Sequence, residues 1–185
     1  MPSNLDHLVI IDLEATCDNP RPAWQSEIIE IGVCLLDLRN LVLSENRGIL
    51  VKPQNTPITR FCTDLTTITP EMVAADGISL QSALEVLKRD YKIDQRVWAS
   101  WGDYDRNQIF RECNAKGIRF PGDRSPHLNL KQLIAIEYGW KHGEGMDSVL
   151  NRLRINLEGT HHRGVDDARN IARIYAAHLR KVRSS

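Results

Sequence analysis

The stretch LVIIDLEATC, residues 8–17, most constrains the fold, because a wholly apolar run ends in two acidic residues. Side chains alternate along a β-strand, so Asp12 and Glu14 share one face while the opposite face is apolar throughout. A strand that is apolar on both faces belongs at the centre of a covered sheet. The sequence therefore predicts a central strand over Leu8–Ala15, with two carboxylates at the end where open α/β sheets place their sites.

Two carboxylates so close together repel each other, and one of them is protonated unless a cation neutralises both. The pair therefore has two interpretations. In one, Asp12 and Glu14 hold a cation. In the other, the strand ends early and water solvates both acids. The pair alone leaves both open.

Strand-like segments come first in the chain, at Leu8–Ala15, Ile28–Asp37 and Leu41–Val51, and the turn LRN separates the last two. This order predicts three antiparallel strands. A further strand is predicted over Arg96–Trp101, and helical spacing or capping residues predict helices at 69–73, from 79, and at 105–116, 129–139, 146–153 and 165–181. We expect a single domain over residues 1–185, an α/β fold whose mixed central sheet of about five strands is flanked by helices.

Composition limits the classes of function. The chain has 24 basic and 24 acidic residues, so its net charge gives no general attraction for a polyanion. No apolar stretch approaches the roughly 20 residues of a membrane span, and the start MPSNLDH lacks the regions of a signal peptide. Four widely spread cysteines without a Cys-x-x-Cys pair favour reduced thiols. We expect a cytoplasmic protein without membrane contact.

A second acidic position lies in WASWGDYDRNQIF, where a predicted strand gives way to a helix at Asp103 and Asp105. Asp105 followed by Gln108 has the spacing of a capping box, and acids are favoured at helix N-termini. This segment alone therefore favours a plain helix cap over a metal ligand.

A third acidic position lies in THHRGVDDARNIARIYAAHL. Its histidines and aspartates allow two registers, His161 with Asp166 or His162 with Asp167. A histidine here is as compatible with a surface position as with a site.

Helix geometry separates the two aspartates. The residues four and seven positions after Asp167 are apolar, whereas Asp166 heads a row with Asn170 and Arg173 that we interpret as a solvated face. Asp167 is therefore predicted to point toward the body of the protein. Taken alone, it remains compatible with a first-turn acid that favours the helix dipole.

Together the three positions indicate a metal site. Carboxylates without a cysteine cluster suit Mg²⁺ or Mn²⁺ rather than zinc. A histidine beside such a cluster can act as a general base on water. Two-metal sites of this composition cleave phosphodiesters.

The same motifs, Asp12-x-Glu14, Tyr104-Asp105 and His162-x₄-Asp167, resemble the DEDDh family of 3′→5′ exonucleases, which have an RNase H-like fold. The resemblance covers nearly the whole chain. Within the family, DLEATC, RFCTDLTTIT and HHRGVDDARNIARI are most similar to the exoribonucleases that trim histone mRNA 3′ ends and small RNA duplexes.

The resemblance implies an activity: metal-dependent release of nucleoside 5′-monophosphates from single-stranded or overhanging RNA 3′ ends. It implies two Mg²⁺ ions, replaceable by Mn²⁺, and His162 as general base. The implied metal ligands are Asp12, Glu14, Asp105 and Asp167. The implied substrate-binding residues are Ala15, Thr16, Phe61 and Tyr104.

The chain departs from the family in two respects. Close relatives tend to have Trp at the position of Tyr104, so the surface on which a base stacks is smaller. A chain of 185 residues has no room for the extra nucleic-acid-binding domain of many eukaryotic members, which favours generic trimming over recognition of one stem-loop.

Four points stay open. The substrate could be DNA ends, because a metal cage acts on phosphate and does not read the sugar. The chain could be an inactive single-strand-binding module, although it retains all five motif residues. Phe61 could simply pack in the core, and Trp24 lies either in an exposed turn or near the substrate. No protein partner follows from the sequence.

Overall fold

The structure, a computed structural model, describes residues 5–20 and 25–184. The start of the chain and Trp24 lie outside the described residues. Five strands form one sheet in the order β3-β2-β1-β4-β5. Their bounds are β1 His7–Ala15, β2 Ile28–Asp37, β3 Leu43–Leu50, β4 Val97–Ser100 and β5 His127–Asn129.

The first three strands are antiparallel, and β4 and β5 run parallel to β1. The predicted mixed sheet with a central first strand is therefore confirmed. The described residues also form seven helices, none of them long and apolar enough to cross a membrane. Their bounds are α1 Arg60–Thr66, α2 Pro70–Asp76, α3 Leu80–Tyr91, α4 Tyr104–Ala115, α5 Leu130–Glu137, α6 Met146–Leu153 and α7 Gly164–Arg183.

Both faces of β1 are covered, as its apolar sequence predicts. Val9, Ile11 and Leu13 pack in a core shared with α3 and α4. Leu8 and Ile10 pack in a second core shared with α5, α6 and α7. Because Asp12 and Glu14 continue the face of Leu8 and Ile10, they point toward the side of the sheet that carries α7.

The N-terminus of α7 is held against β2 by a close backbone approach. A Cβ atom at Gly32 would lie 1.8 Å from the carbonyl oxygen of Gly164, so no side chain fits there. Glu30, which is fully buried, accepts the N–H of Gly164 at 2.7 Å and the Nη2 of Arg163 at 3.1 Å. Gly32 is also the register partner of Asp12, and the contact therefore brings α7 to the acidic end of β1.

Three expectations differ from the structure. Neither α1 nor β5 was predicted from the sequence. The strand β3 is shorter than the strand predicted over Leu41–Val51. The row headed by Asp166 is not solvated: Asn170 is fully buried and exchanges hydrogen bonds with the backbone of Glu158. The segment before α7 folds over this face, which local helix periodicity does not reveal.

We expect Gly32→Ala to destabilise the protein, because the new methyl group collides with backbone that belongs to another element. The cost should reach at least roughly 1–3 kcal/mol, the usual size of overpacking. Urea denaturation measures it. Gly145→Ala is the control, since its new Cβ would meet only the carboxylate end of the Asp147 side chain, with the Oδ1 atom at 2.7 Å. Equal stability of both variants would contradict the proposed packing.

Candidate active site

Asp12 and Glu14 lie within β1, which continues to Ala15. The interpretation that the strand ends early is therefore wrong. Glu14 is 9% exposed and Asp12 is partly exposed. The two acids lie at the C-terminal end of a central strand, where each has lost much of its hydration.

Asp105 joins them from the first turn of α4. It is 4% exposed, and its Oδ1 accepts the backbone N–H of Leu13 at 2.9 Å. The helix N-cap is Asp103, which makes no capping hydrogen bond through its side chain and instead accepts from Asn129. The capping-box interpretation of Asp105 is therefore wrong. The Asp105 carboxylate instead connects α4 to β1 at Leu13, which lies between Asp12 and Glu14.

Asp167 reaches the same place from the first turn of α7, where it is 5% exposed. Ligand oxygens of Asp12, Glu14 and Asp167 all lie within 4.8 Å of one another. Asp166 is directed elsewhere and accepts the N–H of Thr160 at 2.8 Å. The orientation predicted for Asp167 from helix geometry is confirmed.

The acids destabilise one another's charged forms. Burial, and then the charge of Asp105, hold the pKa of Asp12 well above its usual value. Burial and the charge of Asp167 raise the pKa of Glu14 to about 9. Burial raises the pKa of Asp105 to about 7 and also raises that of Asp167. All four pKa values therefore move in the direction that a bound cation would reverse.

This donor set fits a hard divalent cation. The convergent atoms are carboxylate oxygens, which Mg²⁺ and Mn²⁺ prefer. Arg163, which lowers the pKa of Glu14, forms its ion pair with Glu30 instead. The four acids are therefore candidate metal ligands.

The adjacent residues His161 and His162 both contact the Asp167 carboxylate. The His161 Nδ1 lies 3.0 Å from the Asp167 Oδ2, and the backbone N–H of His162 donates to the same oxygen at 3.0 Å. The rings stack with centroids 4.0 Å apart. Burial and the neighbouring His161 lower the pKa of His162, which keeps its ring neutral and able to accept a proton. The register that paired His161 with Asp166 is wrong.

The two aromatic residues predicted to bind substrate are exposed, Phe61 by 38% and Tyr104 by 57%. Core packing therefore does not account for Phe61. Its helix is attached to the end of β1, because the Thr59 hydroxyl donates to the carbonyl of Cys17 at 2.7 Å. Tyr104 directly precedes Asp105, so both rings lie on elements that border the acids.

Ala15 and Thr16 are buried. The Thr16 hydroxyl accepts the N–H of Glu27 at 2.9 Å and lies 2.8 Å from the hydroxyl of Thr56. These bonds fix the segment that follows β1. A contact of either residue with substrate stays a prediction.

Sequence reasoning missed the anchoring role of Glu30 and Arg163. A signal was present: Glu30 interrupts the apolar run of β2, IIEIGVCLL, much as Asp12 interrupts that of β1. A charge inside a strand that is buried on both faces needs a partner.

Comparison with known proteins agrees with this geometry. The family model of the RNase_T exonucleases matches residues 9–175. The chain belongs to the RNase_T exonuclease family. The resemblance to the DEDDh exonucleases is thereby confirmed, as is the RNase H-like fold.

Individual relatives support the assignment of this exonuclease domain. The 3′-5′ exoribonuclease 1 of Rattus norvegicus is 30% identical over 184 residues, which cover 93% of this chain and 52% of the relative. ERI1 exoribonuclease 3 of Homo sapiens is 30% identical over 182 residues, 94% of this chain and 53% of the relative. The chain thus spans about half the length of these curated relatives.

A solved structure is similar over almost its whole length. The nuclease domain of 3′hExo, described as a DEDDh family member bound to rAMP, superposes with a TM-score of 0.87 at 26% identity. The match covers 96% of this chain and 93% of that one.

We expect the metal-free exonuclease domain to lose stability as the pH rises from about 7 to about 9. The folded protein holds protons on acids of raised pKa that the unfolded chain has already released, so stability falls as pH rises. Above about pH 7, histidines of lowered pKa are neutral in both states and do not oppose this slope.

The test is urea denaturation across this pH range in EDTA. Glu14→Gln should flatten the slope, whereas Glu85→Gln, at an exposed position of α3, should leave it unchanged. If the free energy of unfolding of the wild type stayed constant or rose between about pH 7 and 9, the acids would not be as closely packed as described.

Proposed function

We propose that this chain is a metal-dependent 3′→5′ exonuclease that releases nucleoside 5′-monophosphates from single-stranded or overhanging RNA 3′ ends. One observation carries the proposal: Asp12, Glu14 and Asp167 place ligand oxygens within 4.8 Å of one another, with Asp105 and a neutral histidine beside them. A metal site that acts on phosphodiesters accounts for these desolvated acids at the end of β1.

The four acids are proposed to hold two Mg²⁺ ions, or Mn²⁺ in their place. Bound there, the metal would supply Lewis-acid stabilisation of the scissile phosphate and a lowered pKa for the attacking water. Burial and the charges of Asp105, Glu14 and Asp167 raise the pKa of Asp12. Asp12 therefore has all three of these acids as neighbours, and we propose that it would help to hold both ions.

His162 is the proposed general base. Its lowered pKa leaves the imidazole unprotonated near neutral pH, which a base requires. Its backbone N–H is fixed on the Asp167 carboxylate at 3.0 Å. The base is thereby tied to a proposed metal ligand, so that the proton acceptor and the metal cage keep one relative position.

RNA is proposed as the substrate because the relatives carry exoribonuclease names and the similar 3′hExo domain is bound to rAMP. Another similar structure concerns 3′-end recognition of a histone mRNA stem-loop. The chain spans about half the length of these curated relatives. The activity that we propose for it is trimming of single-stranded or overhanging 3′ ends. Exposed Phe61 and Tyr104 would stack on the terminal bases, a contact that tolerates any sequence.

The acids alone do not distinguish RNA from DNA, since they act on the phosphate. A comparison of matched oligonucleotides is therefore part of the test. A single exonuclease domain over residues 1–185 and a cytoplasmic location stay predictions.

The first experiment uses a single-stranded RNA oligonucleotide labelled at its 5′ end. We expect a ladder that shortens from the 3′ end with Mg²⁺, and an intact oligonucleotide with EDTA or with Asp12→Asn. Asp76→Asn, an exposed acid at the end of α2, is the matched control and should remain active. A ladder on DNA alone would reassign the substrate, and metal-independent binding without product would replace the enzyme by a binding module.

We expect His162→Asn to lower kcat by about 10²–10⁴-fold, the usual contribution of a general base. Asparagine suits this position because His162 has a φ of +63°, a left-handed conformation that asparagine tolerates. Calorimetric Mn²⁺ titration should show nearly unchanged metal affinity. His142→Asn, at an exposed histidine, is the control. Full activity of His162→Asn would remove His162 from the mechanism.

A further inference from the structure

His161 has no part in the proposed reaction, yet its ring reaches the site. Ligand atoms of His161, His162 and Asp167 lie within 4.8 Å of one another. The His161 Nδ1 is already 3.0 Å from an Asp167 oxygen. Two imidazoles and one carboxylate are therefore gathered at the N-terminus of α7, beside the all-carboxylate group of Asp12, Glu14 and Asp167.

The backbone makes this arrangement possible. Successive side chains of an extended chain point in opposite directions. The backbone of His162, however, has a left-handed conformation, and the rings of His161 and His162 stack with an interplanar angle of 20°. Neighbouring residues thus present their rings to the same carboxylate. Coordination of a common ion requires the two rings to rotate out of this stacked arrangement, so that one nitrogen of each converges with an Asp167 oxygen that already lies within 4.8 Å of both.

The chemistry of these donors differs from that of the carboxylate group. Imidazole nitrogen suits zinc, whereas Mg²⁺ prefers oxygen. Two histidines, one carboxylate and an open fourth position occupied by water form a well-attested zinc coordination. Asp147, close enough to act on the pKa of His162, adds negative charge nearby.

We propose that His161, His162 and Asp167 form a zinc site that excludes the catalytic metal arrangement. A zinc ion there occupies the ring of the general base and a carboxylate that Mg²⁺ requires. The zinc site is a property of these three residues alone. Its inhibitory consequence rests on the proposed exonuclease function.

The first measurement is binding to the full chain stripped of metal, titrated with ZnCl₂ against a chromophoric chelator. X-ray absorption at the zinc edge then counts the histidine ligands, with Zn–N distances of about 2.0–2.1 Å. We expect two histidines per zinc in the wild type and one in His161→Asn. Zinc affinity should fall by at least about 10–100-fold in that variant, because even loss of a ligand's hydrogen-bond partner costs as much. His142→Asn is the control and should match the wild type.

The second measurement is trimming in excess Mg²⁺ with added ZnCl₂. Each variant is compared with its own rate without zinc, so a change in basal activity does not affect the result. Micromolar zinc should inhibit the wild type and His142→Asn, and His161→Asn should need at least about tenfold more zinc, in line with its weaker binding.

The outcomes separate the two proposals. If the chain trims no nucleic acid, the proposed function fails, while zinc affinity and the absorption spectrum still decide the site. Equal zinc affinity in wild type and His161→Asn, or a spectrum with oxygen ligands only, overturns the zinc site. Zinc held by two histidines in a fully active enzyme overturns the inhibition.

Discussion

Four carboxylates meet at the end of β1, and the loss of their hydration, together with their mutual repulsion, makes this end of the sheet require a cation. Desolvation raises the pKa of each, and neighbouring carboxylates raise those of Asp12, Glu14 and Asp105 further; the pKa of Glu14 reaches about 9. Near neutral pH the metal-free cluster therefore holds protons that ordinary carboxylates have released. Packing that forces these groups together opposes folding unless a compensating cation binds. The cluster is thus built for binding a cation rather than for stability.

Glu30 shows how the chain compensates a buried acid when no metal is involved. It is fully buried in β2, accepts the Gly164 N–H and pairs with Arg163. This contact and the close approach of Gly32 to Gly164 fix α7 on β2. Because Asp167 follows three residues after Gly164 in the first turn, the position of the last proposed ligand depends on an acid outside the cluster. One buried carboxylate therefore helps to position Asp167 beside the other proposed ligands.

The sequence could predict those parts of the site that follow from local periodicity. Alternation along β1 placed Asp12 and Glu14 correctly, and α6 has its predicted bounds. α1 was missed because only Cys62 and Thr66 are buried in it, which leaves no apolar stripe. β5 has three half-buried residues, too few for a period. Local sequence patterns do not encode the roles of Asp105, Asn170 and His161. The first two depend on contacts with distant segments, and the third depends on the left-handed backbone conformation of His162.

Asp167 belongs to two groups of donors among the described residues, one of carboxylates and one with histidines. Zinc at the histidines would add a further divalent ion beside the ions that the acids are proposed to hold, and the repulsion between these cations makes occupation of one group weaken the other. Thermodynamic linkage makes this reciprocal: the factor by which Mg²⁺ weakens zinc binding equals the factor by which zinc weakens Mg²⁺ binding. Donor softness favours zinc at the histidines, whereas the number of oxygens favours Mg²⁺ at the strand acids. Relative metal concentration, rather than a conformational change, would then determine whether His162 is free to accept a proton.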